Sequence, residues 1–341
     1  MKQAIYTISK YIGLFAFSRW ITRKHIRILG YHGIWLGEGH FGNFLFMSPA
    51  KFAQRMRKLK ELNMPVISMD EALEGRSKGG LPDCATVITI DDGWYSSYKH
   101  MLPELERNQF PAVLYVTTYY SDKQVPVFNV ALQYLFATTK VRALDTQKIN
   151  IGYSSEVDLT SFKEKSSFID SIQQYASRLP SEEERQQLLA LLAKELGLSY
   201  SSIVDNKLFH LADEEQLNEM VQCGIDIQLH THRHRISVDG VDCLEQELVD
   251  NKSKLTSVSD SSLLHFCYPS GIYDQSFWPT LEKLGMVSAT TTESGLVNKD
   301  THSYAVPRIL DGEDISDIEF EAEMSGFVEL KRSLFRKFLH N

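Results

Sequence analysis

Cysteine is scarce in this chain: four residues among 341, at positions 84, 223, 243 and 267, and no Cys-x-x-Cys pair. Cysteines so few and scattered exclude a disulfide scaffold and disfavour a cysteine zinc site. Long apolar runs are lacking too. The run Tyr11–Phe17 is soon interrupted by Arg19, far short of the about 20 residues that span a bilayer. That run is short for a signal peptide and no small-residue cleavage site follows, so we expect no cleavable signal and a cytoplasmic or peripheral membrane location.

A net positive charge is also absent, because 36 Lys and Arg stand against 44 Asp and Glu, for a net charge of −8. This balance argues against a nucleic-acid partner. The bases are unevenly distributed, however, since the first 27 residues hold six and no acid. A hydrophobic content of 43% excludes a disordered chain. The length is compatible with two domains or with one α/β barrel.

Strand-like and helical patterns alternate from Ile26 onward. Apolar runs typical of strands lie at 26–31, 65–69, 85–90, 112–117, 225–229, 264–268 and 287–291, most of them separated by helical patterns. This alternation predicts βαβ units and a parallel sheet. It stops between about residues 127 and 210, where Ser181 begins a helix with an apolar stripe. We therefore predict a barrel domain over 26–312 with a helical insertion at about 127–210.

Both ends of the chain have amphipathic helical patterns. Residues 1–25 form a basic segment in which Ile5, Ile8, Ile12 and Phe15 share a helical face. Residues 313–341 form a second such region; its apolar face consists of Phe327, Leu330, Leu334 and Phe338, and its bases are Lys331, Arg332, Arg336 and Lys337. Each pattern fits a helix that contacts an anionic membrane surface, and equally a helix packed on the protein body or on a partner chain.

Two adjacent carboxylates, Asp91 and Asp92, directly follow the β-branched run that ends at Ile90. Two such charges leaving an apolar strand repel each other unless a cation or a proton is present. The alternative is a solvated Asp-Gly turn.

Three histidines follow the predicted strand that ends at Leu229. His230 and His234 are four residues apart, so a single helical turn would direct both imidazoles to a common site, whereas His232 would point elsewhere. Two imidazoles and one aspartate form a facial ligand set that suits zinc, cobalt, nickel or iron. We therefore predict a divalent metal, with zinc the first choice.

A third cluster, Phe266–Gly271, ends another predicted strand. Its proline and glycine fix a turn with exposed backbone amides, and such amides can stabilise an oxyanion.

Together these segments resemble the polysaccharide deacetylases of carbohydrate esterase family 4, the NodB-type domain. Thr89–Gly93 is similar to the T-F-D-D-G motif of that family, and His230–His234 is similar to its H-[ST]-x-x-H motif. Phe266–Gly271 with Tyr273 and Asp274 resembles its F-x-Y-P-x-G-x-Y-[DN] segment. The resemblance extends from about Ile26 to Ile309 and implies a deformed (β/α) barrel that hydrolyses the N-acetyl groups of a glycan.

The resemblance also implies roles for individual residues. Asp92, His230 and His234 would be the metal ligands and Asp91 the general base. A late L-x-H motif, which supplies the acid in much of the family, has no convincing copy here.

His32, in the sequence Gly30-Tyr31-His32, resembles the early Y-H motif of poly-N-acetylglucosamine deacetylase-like members, which makes it the candidate acid, with His302 as an alternative. Cys267 stands where many members have an arginine, so Arg308 is the candidate to orient the base. The backbone amide of Ser270 is the candidate oxyanion donor.

Three interpretations of function stay open. The first is metal-dependent de-N-acetylation of an N-acetylated sugar in a polysaccharide or a lipid-linked glycan. The second keeps the metal site but has a non-sugar amide as substrate. The third is a catalytically silent glycan-binding domain, which would not need a general base beside the metal ligands.

Overall fold

The computed structural model describes residues 2–149, 151–153, 156–236, 241–258 and 262–339, and for residues 241–242 and 335–339 it describes the backbone alone. The predicted positions of Arg336, Lys337 and Phe338 on an amphipathic face therefore lie outside the described side chains. The described residues form two compact units, one of residues 1–35, 44–122 and 212–341 and one of residues 36–43 and 123–211.

The first unit is built on a closed barrel of seven parallel strands, in the order β1-β11-β10-β9-β8-β5-β4. These strands are β1 (Arg27–Tyr31), β4 (Thr86–Ile90), β5 (Ala112–Val116), β8 (Ile225–Leu229), β9 (His265–Cys267), β10 (Ser288–Ser294) and β11 (Val306–Leu310). Two short strands, β2 (Gly33–Ile34) and β3 (Phe46–Met47), pair beside the barrel. The predicted α/β barrel is confirmed.

Helices surround these strands in the same unit. They are α1 (Lys2–Tyr11), α2 (Leu14–Ile21), α3 (Pro49–Glu61), α4 (Met69–Lys78), α5 (Leu102–Asn108), α6 (Thr118–Lys123, whose last residue belongs to the second unit), α11 (Glu214–Gln222), α12 (Val241–Leu255), α13 (Trp278–Lys283), α14 (Asp317–Met324) and α15 (Phe327–Leu339). No described helix is both long enough and apolar enough to cross a bilayer.

The strand register brings the carboxyl ends of the strands to one end of the barrel. Tyr31 pairs with Ile90, Val116 pairs with Leu229, and Leu229 also pairs with Phe266. All five residues of β1, β4 and β5 are buried, because these strands have both faces covered. Polar residues that directly follow these strands therefore meet at one end.

The second unit contains helices α7 (Phe128–Thr138), α8 (Phe162–Ser177), α9 (Glu182–Glu195) and α10 (Tyr200–Asp205), with an antiparallel pair of strands, β6 (Ala143–Asp145) and β7 (Glu156–Asp158). The Ser181 hydroxyl caps α9 by accepting a hydrogen bond from the Glu184 amide at 3.2 Å. The sequence analysis did not predict the strand pair, because each of its strands has only three residues. Leu144 and Val157 supply the one buried side chain of each strand.

Two local predictions are wrong. The strand predicted at Pro65–Met69 is reduced to a single bridge at Val66, because Ser68 and Glu71 form a capping box that begins α4. The helix predicted over residues 3–22 is broken at Gly13, whose φ of 85° belongs to the left-handed region, and so it becomes α1 and α2.

Candidate metal and catalytic site

The carboxyl end of the barrel gathers side chains from four strands. His32 follows β1, Asp91 and Asp92 follow β4, His230 and His234 follow β8, and Arg308 lies within β11. The Asp91 amide donates a hydrogen bond to the Tyr31 carbonyl at 2.9 Å, so the ladder between β1 and β4 extends into the site. The sequence-predicted residues thus come from distant parts of the chain to one place.

Asp92, His230 and His234 converge on a common point. The Asp92 Oδ1 atom lies 3.2 Å from His230 Nε2 and 3.3 Å from His234 Nε2. The other carboxylate oxygen, Oδ2, accepts a hydrogen bond from the indole of Trp94 at 2.8 Å. One carboxylate oxygen and two imidazole nitrogens are therefore directed at each other, and this donor set suits a divalent transition metal.

The surroundings of His230 orient its ring for this role. Its Nδ1 lies 2.8 Å from the Cys267 carbonyl, which can only accept, so Nδ1 carries a hydrogen and Nε2 is the nitrogen that faces Asp92 and would bind a metal. Its backbone amide donates to the Asn251 side chain at 2.9 Å. Burial opposes the charged form of His230, but the neighbouring Cys267, Asp92 and Asp91 together outweigh it and raise the pKa of His230 well above its usual value. Such a raised pKa is the response of an imidazole beside an anion in the metal-free protein.

His234 lies in a different environment. Burial lowers the pKa of His234 to about 4, although the Asp92 carboxylate opposes this shift. Its ring is therefore neutral near pH 7, which is the form that binds a metal.

The predicted helical turn between the two histidines is wrong. The segment after β8 is an irregular loop in which Thr231 and His234 have positive φ values of 65° and 55°. The buried Glu247 on α12 supports this loop, because it accepts hydrogen bonds from the Arg233 amide at 2.6 Å and from the Arg233 guanidinium at 2.8 Å. The histidines converge through loop geometry, not through helical periodicity.

Asp91 forms a bidentate ion pair with Arg308. The Nη1 and Nη2 atoms of Arg308 each lie 2.7 Å from one Asp91 oxygen, and both side chains are buried. Burial by itself would raise the pKa of Asp91. The Arg308 guanidinium lowers that pKa by more than burial raises it, so the net shift is downward. The pair keeps Asp91 ionised and fixes the plane of its carboxylate.

Small residues border the Arg308 guanidinium inside the barrel. A Cβ on Gly30 would lie at an ordinary contact distance of 3.5 Å from that guanidinium but would clash with the Leu310 side chain at 2.6 Å. Cys267, at the position where the resemblance leads one to expect an arginine, has its sulfur 3.3 Å from Arg308 Nη2. The guanidinium of Arg308 on β11 therefore lies between two small residues, Gly30 on β1 and Cys267 on β9. Larger side chains at these two positions would fill the space that it occupies.

A second group with metal-ligand chemistry, Asp91, His230 and Cys267, lies close by. It suits a cation less well, because both Asp91 oxygens already accept from the positively charged Arg308. Arg308 also contacts the Cys267 sulfur, so a cation bound there would meet direct repulsion.

His32 lies on the other side of Asp91. Its Nε2 is 3.7 Å from Asp91 Oδ2, and its side chain is partly exposed. Ser270 lies in a tight turn after β9 with a φ of 56°, and it shares with His234 and Ile272 the lining of a pocket of about 420 Å³. Both residues therefore lie where a substrate could reach them.

Two histidines weighed from the sequence lie away from the reacting groups. His302 belongs to the connection that enters the amino end of β11, and its ring stacks on Trp278 with centroids 3.7 Å apart. The buried His232 is directed at Thr118, whose hydroxyl lies 2.8 Å from its Nδ1. Trp94 is buried and serves Asp92, so it offers no surface on which a sugar ring could stack.

The sequence analysis missed Asn251 and Glu247 on α12. The Asn251 amide group donates to the Val116 carbonyl at 3.0 Å and to the Thr118 hydroxyl at 3.1 Å, while its oxygen accepts from His230. The one signal in the sequence was that two polar residues four apart share a face of a helix otherwise expected to pack on the barrel.

Comparison with known proteins agrees with this geometry. The sequence model of the polysaccharide deacetylase family matches residues 168–289, a segment that includes both metal-site histidines and Cys267. Over this segment the chain is similar to the polysaccharide deacetylases. The Bacillus subtilis (strain 168) protein YxkH, whose name assigns it to the polysaccharide deacetylases, is 32% identical over 102 residues. That match covers 29% of this chain and 36% of YxkH, so the two are aligned over about a third of their lengths.

Solved deacetylase structures share the fold over most of the chain. A Streptococcus pyogenes deacetylase, PplD, in complex with acetate is 18% identical with a TM-score of 0.58, and the match covers 88% of this chain and 98% of PplD. IcaB from Ammonifex degensii is 17% identical with a TM-score of 0.55, over 88% of this chain and 97% of IcaB. At these identities the likeness establishes the (β/α) barrel fold alone.

Proposed function

We propose that the chain hydrolyses N-acetyl groups on an N-acetylated sugar of a polysaccharide or a lipid-linked glycan. The observation that carries the proposal is the buried, Arg308-paired carboxylate of Asp91 next to the convergent Asp92, His230 and His234. A glycan-binding module would have no use for an ionised base held beside a metal-ligand set. The match of residues 168–289 to the polysaccharide deacetylase family model supports an acetylated sugar over a non-sugar amide.

Asp92, His230 and His234 would hold a divalent cation, with zinc the first choice because two imidazoles and a carboxylate match its preferences. When bound, the ion would polarise the acetamide carbonyl and make a water molecule more acidic. The hydrogen bond from His230 Nδ1 to the Cys267 carbonyl would keep Nε2 available as a ligand.

The remaining chemistry is assigned to side chains of this chain. Asp91 removes a proton from the attacking water while Arg308 holds its carboxylate in plane. The backbone amide of Ser270 donates to the oxygen that becomes negatively charged. His32 gives a proton to the nitrogen as the carbon–nitrogen bond breaks, so that acetate and a free amine leave.

The test is acetate release from N-acetylglucosamine oligomers by the metal-loaded full-length chain, the chelated chain and the variant Asp91→Asn. Asparagine keeps the shape of the side chain but cannot accept the proton, so we expect kcat to fall about 10²- to 10⁴-fold with bound metal unchanged. The matched control is Asp274→Asn, a carboxylate with an exposed environment on the turn before α13. Full metal-dependent turnover by Asp91→Asn would show that the base is another group.

A further inference from the structure

The two helices at the start of the chain present an unusual apolar surface. Eight of the sixteen large hydrophobic side chains that are exposed among the described residues lie in this short stretch, namely Ile5, Ile8, Tyr11, Ile12, Leu14, Phe17, Trp20 and Ile21. Scattered exposed hydrophobic residues need no explanation, but a concentration of this kind marks an interaction site.

The exposed residues form one stripe on each helix. Ile5 and Ile8 on α1 and Ile12 in the turn directly after it are spaced three and four apart, and Leu14, Phe17 and Ile21 repeat that spacing along α2. The same helices attach to the protein through a neighbouring face, on which Tyr6 and Phe15 are buried. The exposed stripes therefore take no part in the packing of α1 and α2 on the protein.

The carboxyl-terminal helix α15 extends this surface. The ring of Phe327 contacts Tyr6 and Phe15, with centroid distances of 6.1 and 5.3 Å. An apolar groove of about 760 Å³ is lined by Leu14 and Phe17 from α2 and by residues of α15 such as Leu330 and the exposed Leu334. We call α1, α2 and the start of α15, with this groove, the terminal surface.

The basic residues near both ends of the chain favour an anionic partner for the terminal surface. Residues 1–27 carry six bases and residues 330–341 carry four, and neither segment contains an acid, whereas the rest of the chain holds 26 bases against 44 acids. Lys2 and Lys10 pair with acids of α14 and hold α1 in place. Arg19 donates to the backbone carbonyl of Asn63, and among the described residues no carboxylate pairs with Arg19 or with Lys331, which lines the groove. A second copy of this chain would present the same cations again, whereas an anionic bilayer would attract them.

We propose that the terminal surface docks this protein on a bilayer that contains anionic phospholipids. The aromatic residues Tyr11, Phe17 and Trp20, exposed by 85, 56 and 62%, would sit at the level of the headgroups, and the isoleucines would enter the apolar region. The chain lies on the membrane in this arrangement.

The docked orientation leaves the candidate site accessible. Helix α2 joins the barrel at the amino end of β1, whereas His32 follows the carboxyl end of the same strand. Docking therefore does not require any residue of the site, and the two proposals can fail separately.

The experiment compares the full-length chain with the variant Ile8→Gln, Ile12→Gln, Phe17→Gln, in which glutamine preserves the helices while removing apolar area. The matched control is Phe162→Gln, Val249→Gln, Val287→Gln, which changes three exposed hydrophobic residues elsewhere. Cosedimentation is measured with phosphatidylcholine vesicles, either pure or containing about a third phosphatidylglycerol. We expect binding of the wild-type chain and the control to the anionic vesicles, and a loss of about tenfold or more for the terminal-surface variant.

Trp20 supplies a second signal, because the other tryptophans, Trp35, Trp94 and Trp278, are buried or partly buried. Its emission should shift to the blue on vesicle binding, and Trp20→Phe should remove that shift. All variants should release acetate from soluble N-acetylglucosamine oligomers as the wild type does.

Absence of wild-type binding to anionic vesicles would overturn the proposal, and so would an equal loss in the control. A dimer detected by light scattering that the terminal-surface variant abolishes, without any vesicle binding, would assign this surface to a second copy and likewise overturn it.

Discussion

At the residue scale, the most consequential contact is the one between Arg308 and Asp91. Arg308 has no exposed surface, and besides Asp91 it bonds the Thr291 carbonyl at 2.9 Å and the Thr89 hydroxyl at 3.0 Å. These bonds fix the guanidinium on the barrel wall, so it acts as a rigid support for the carboxylate. Its effect on catalysis would pass through Asp91 alone.

Arg308→Lys tests this positioning role. Lysine keeps the charge but cannot make two parallel bonds to a carboxylate, so we expect kcat to fall on the order of 10²-fold with little change in KM. Because the weaker pair stabilises the ionised carboxylate less, the pKa of Asp91 should rise and the acidic limb of the kcat/KM profile should move to higher pH. The control is Arg57→Lys on the exposed side of α3. An acidic limb unchanged from wild type would contradict the role.

The sequence was most informative about ionisable residues that directly follow apolar strands, because such residues are unusual at those positions. Adjacent aspartates after a buried strand, and histidines four apart after another, indicate the end of the barrel at which these side chains meet. The contact between Cys267 and Arg308 was harder to foresee, because it depends on the space left by Gly30 and on the register of β11 against β1. Pairings across a closed barrel are long-range, and no local pattern encodes them.

At the scale of elements, helix α12 acts as the support of the histidine loop. Asn251 links the ends of two strands, because it accepts from the His230 amide after β8 and donates to the Val116 carbonyl at the end of β5. Glu247, one turn earlier, holds Arg233 in the same loop. The predicted helical turn at His230–His234 failed because this outside support, and not local periodicity, sets the loop conformation.

Asn251→Ala should weaken metal binding, although Asn251 is not one of the candidate metal ligands. The change leaves a buried amide and a buried carbonyl without their partner, at a cost of about 1–3 kcal/mol for each group. Since the loop then loses its anchor, we expect metal affinity to drop about 10- to 100-fold. Competition with a chromogenic chelator measures this drop, and urea unfolding measures the loss of stability. Gln246→Ala, on the exposed side of the same helix, is the control; a matching drop there would contradict the argument.

At the scale of the whole molecule, the two ends of the chain come together although both are basic. Helix α14 makes this possible, because Glu319 and Glu321 pair with Lys2 and Lys10, and Glu323 pairs with Arg332 of α15. The acids of one helix thus separate two positively charged segments. Total charge gave no indication of this arrangement, since it depends on which helix lies between the two ends.

Arg27 links helices α2 and α14 to the first strand of the barrel. It is fully buried at the start of β1, and its guanidinium donates to the Thr22 carbonyl at 2.8 Å, the His25 carbonyl at 2.6 Å and the Met324 carbonyl at 3.1 Å. Thr22 caps the carboxyl end of α2 and Met324 ends α14, so the charge lies at the negative ends of two helix dipoles. Burial lowers the pKa of Arg27, and these acceptors stand in for a carboxylate.

Arg27→Met should therefore loosen both ends of the chain at once. Methionine fills much of the volume but removes the Arg27 donor from the buried Met324 carbonyl and from the partly buried His25 carbonyl, so we expect the free energy of unfolding to fall by about 2 kcal/mol or more. Because α1, α2 and α14 share this anchor, limited proteolysis should cut before residue 27 faster than in wild type, with acetate release by the intact chain little changed. Arg23→Met, at a partly exposed arginine of the same connection, is the control and should leave the cleavage rate unchanged. Equal protection of the Arg27→Met and wild-type chains would mean that the apolar contacts of Tyr6 and Phe15 hold the ends by themselves.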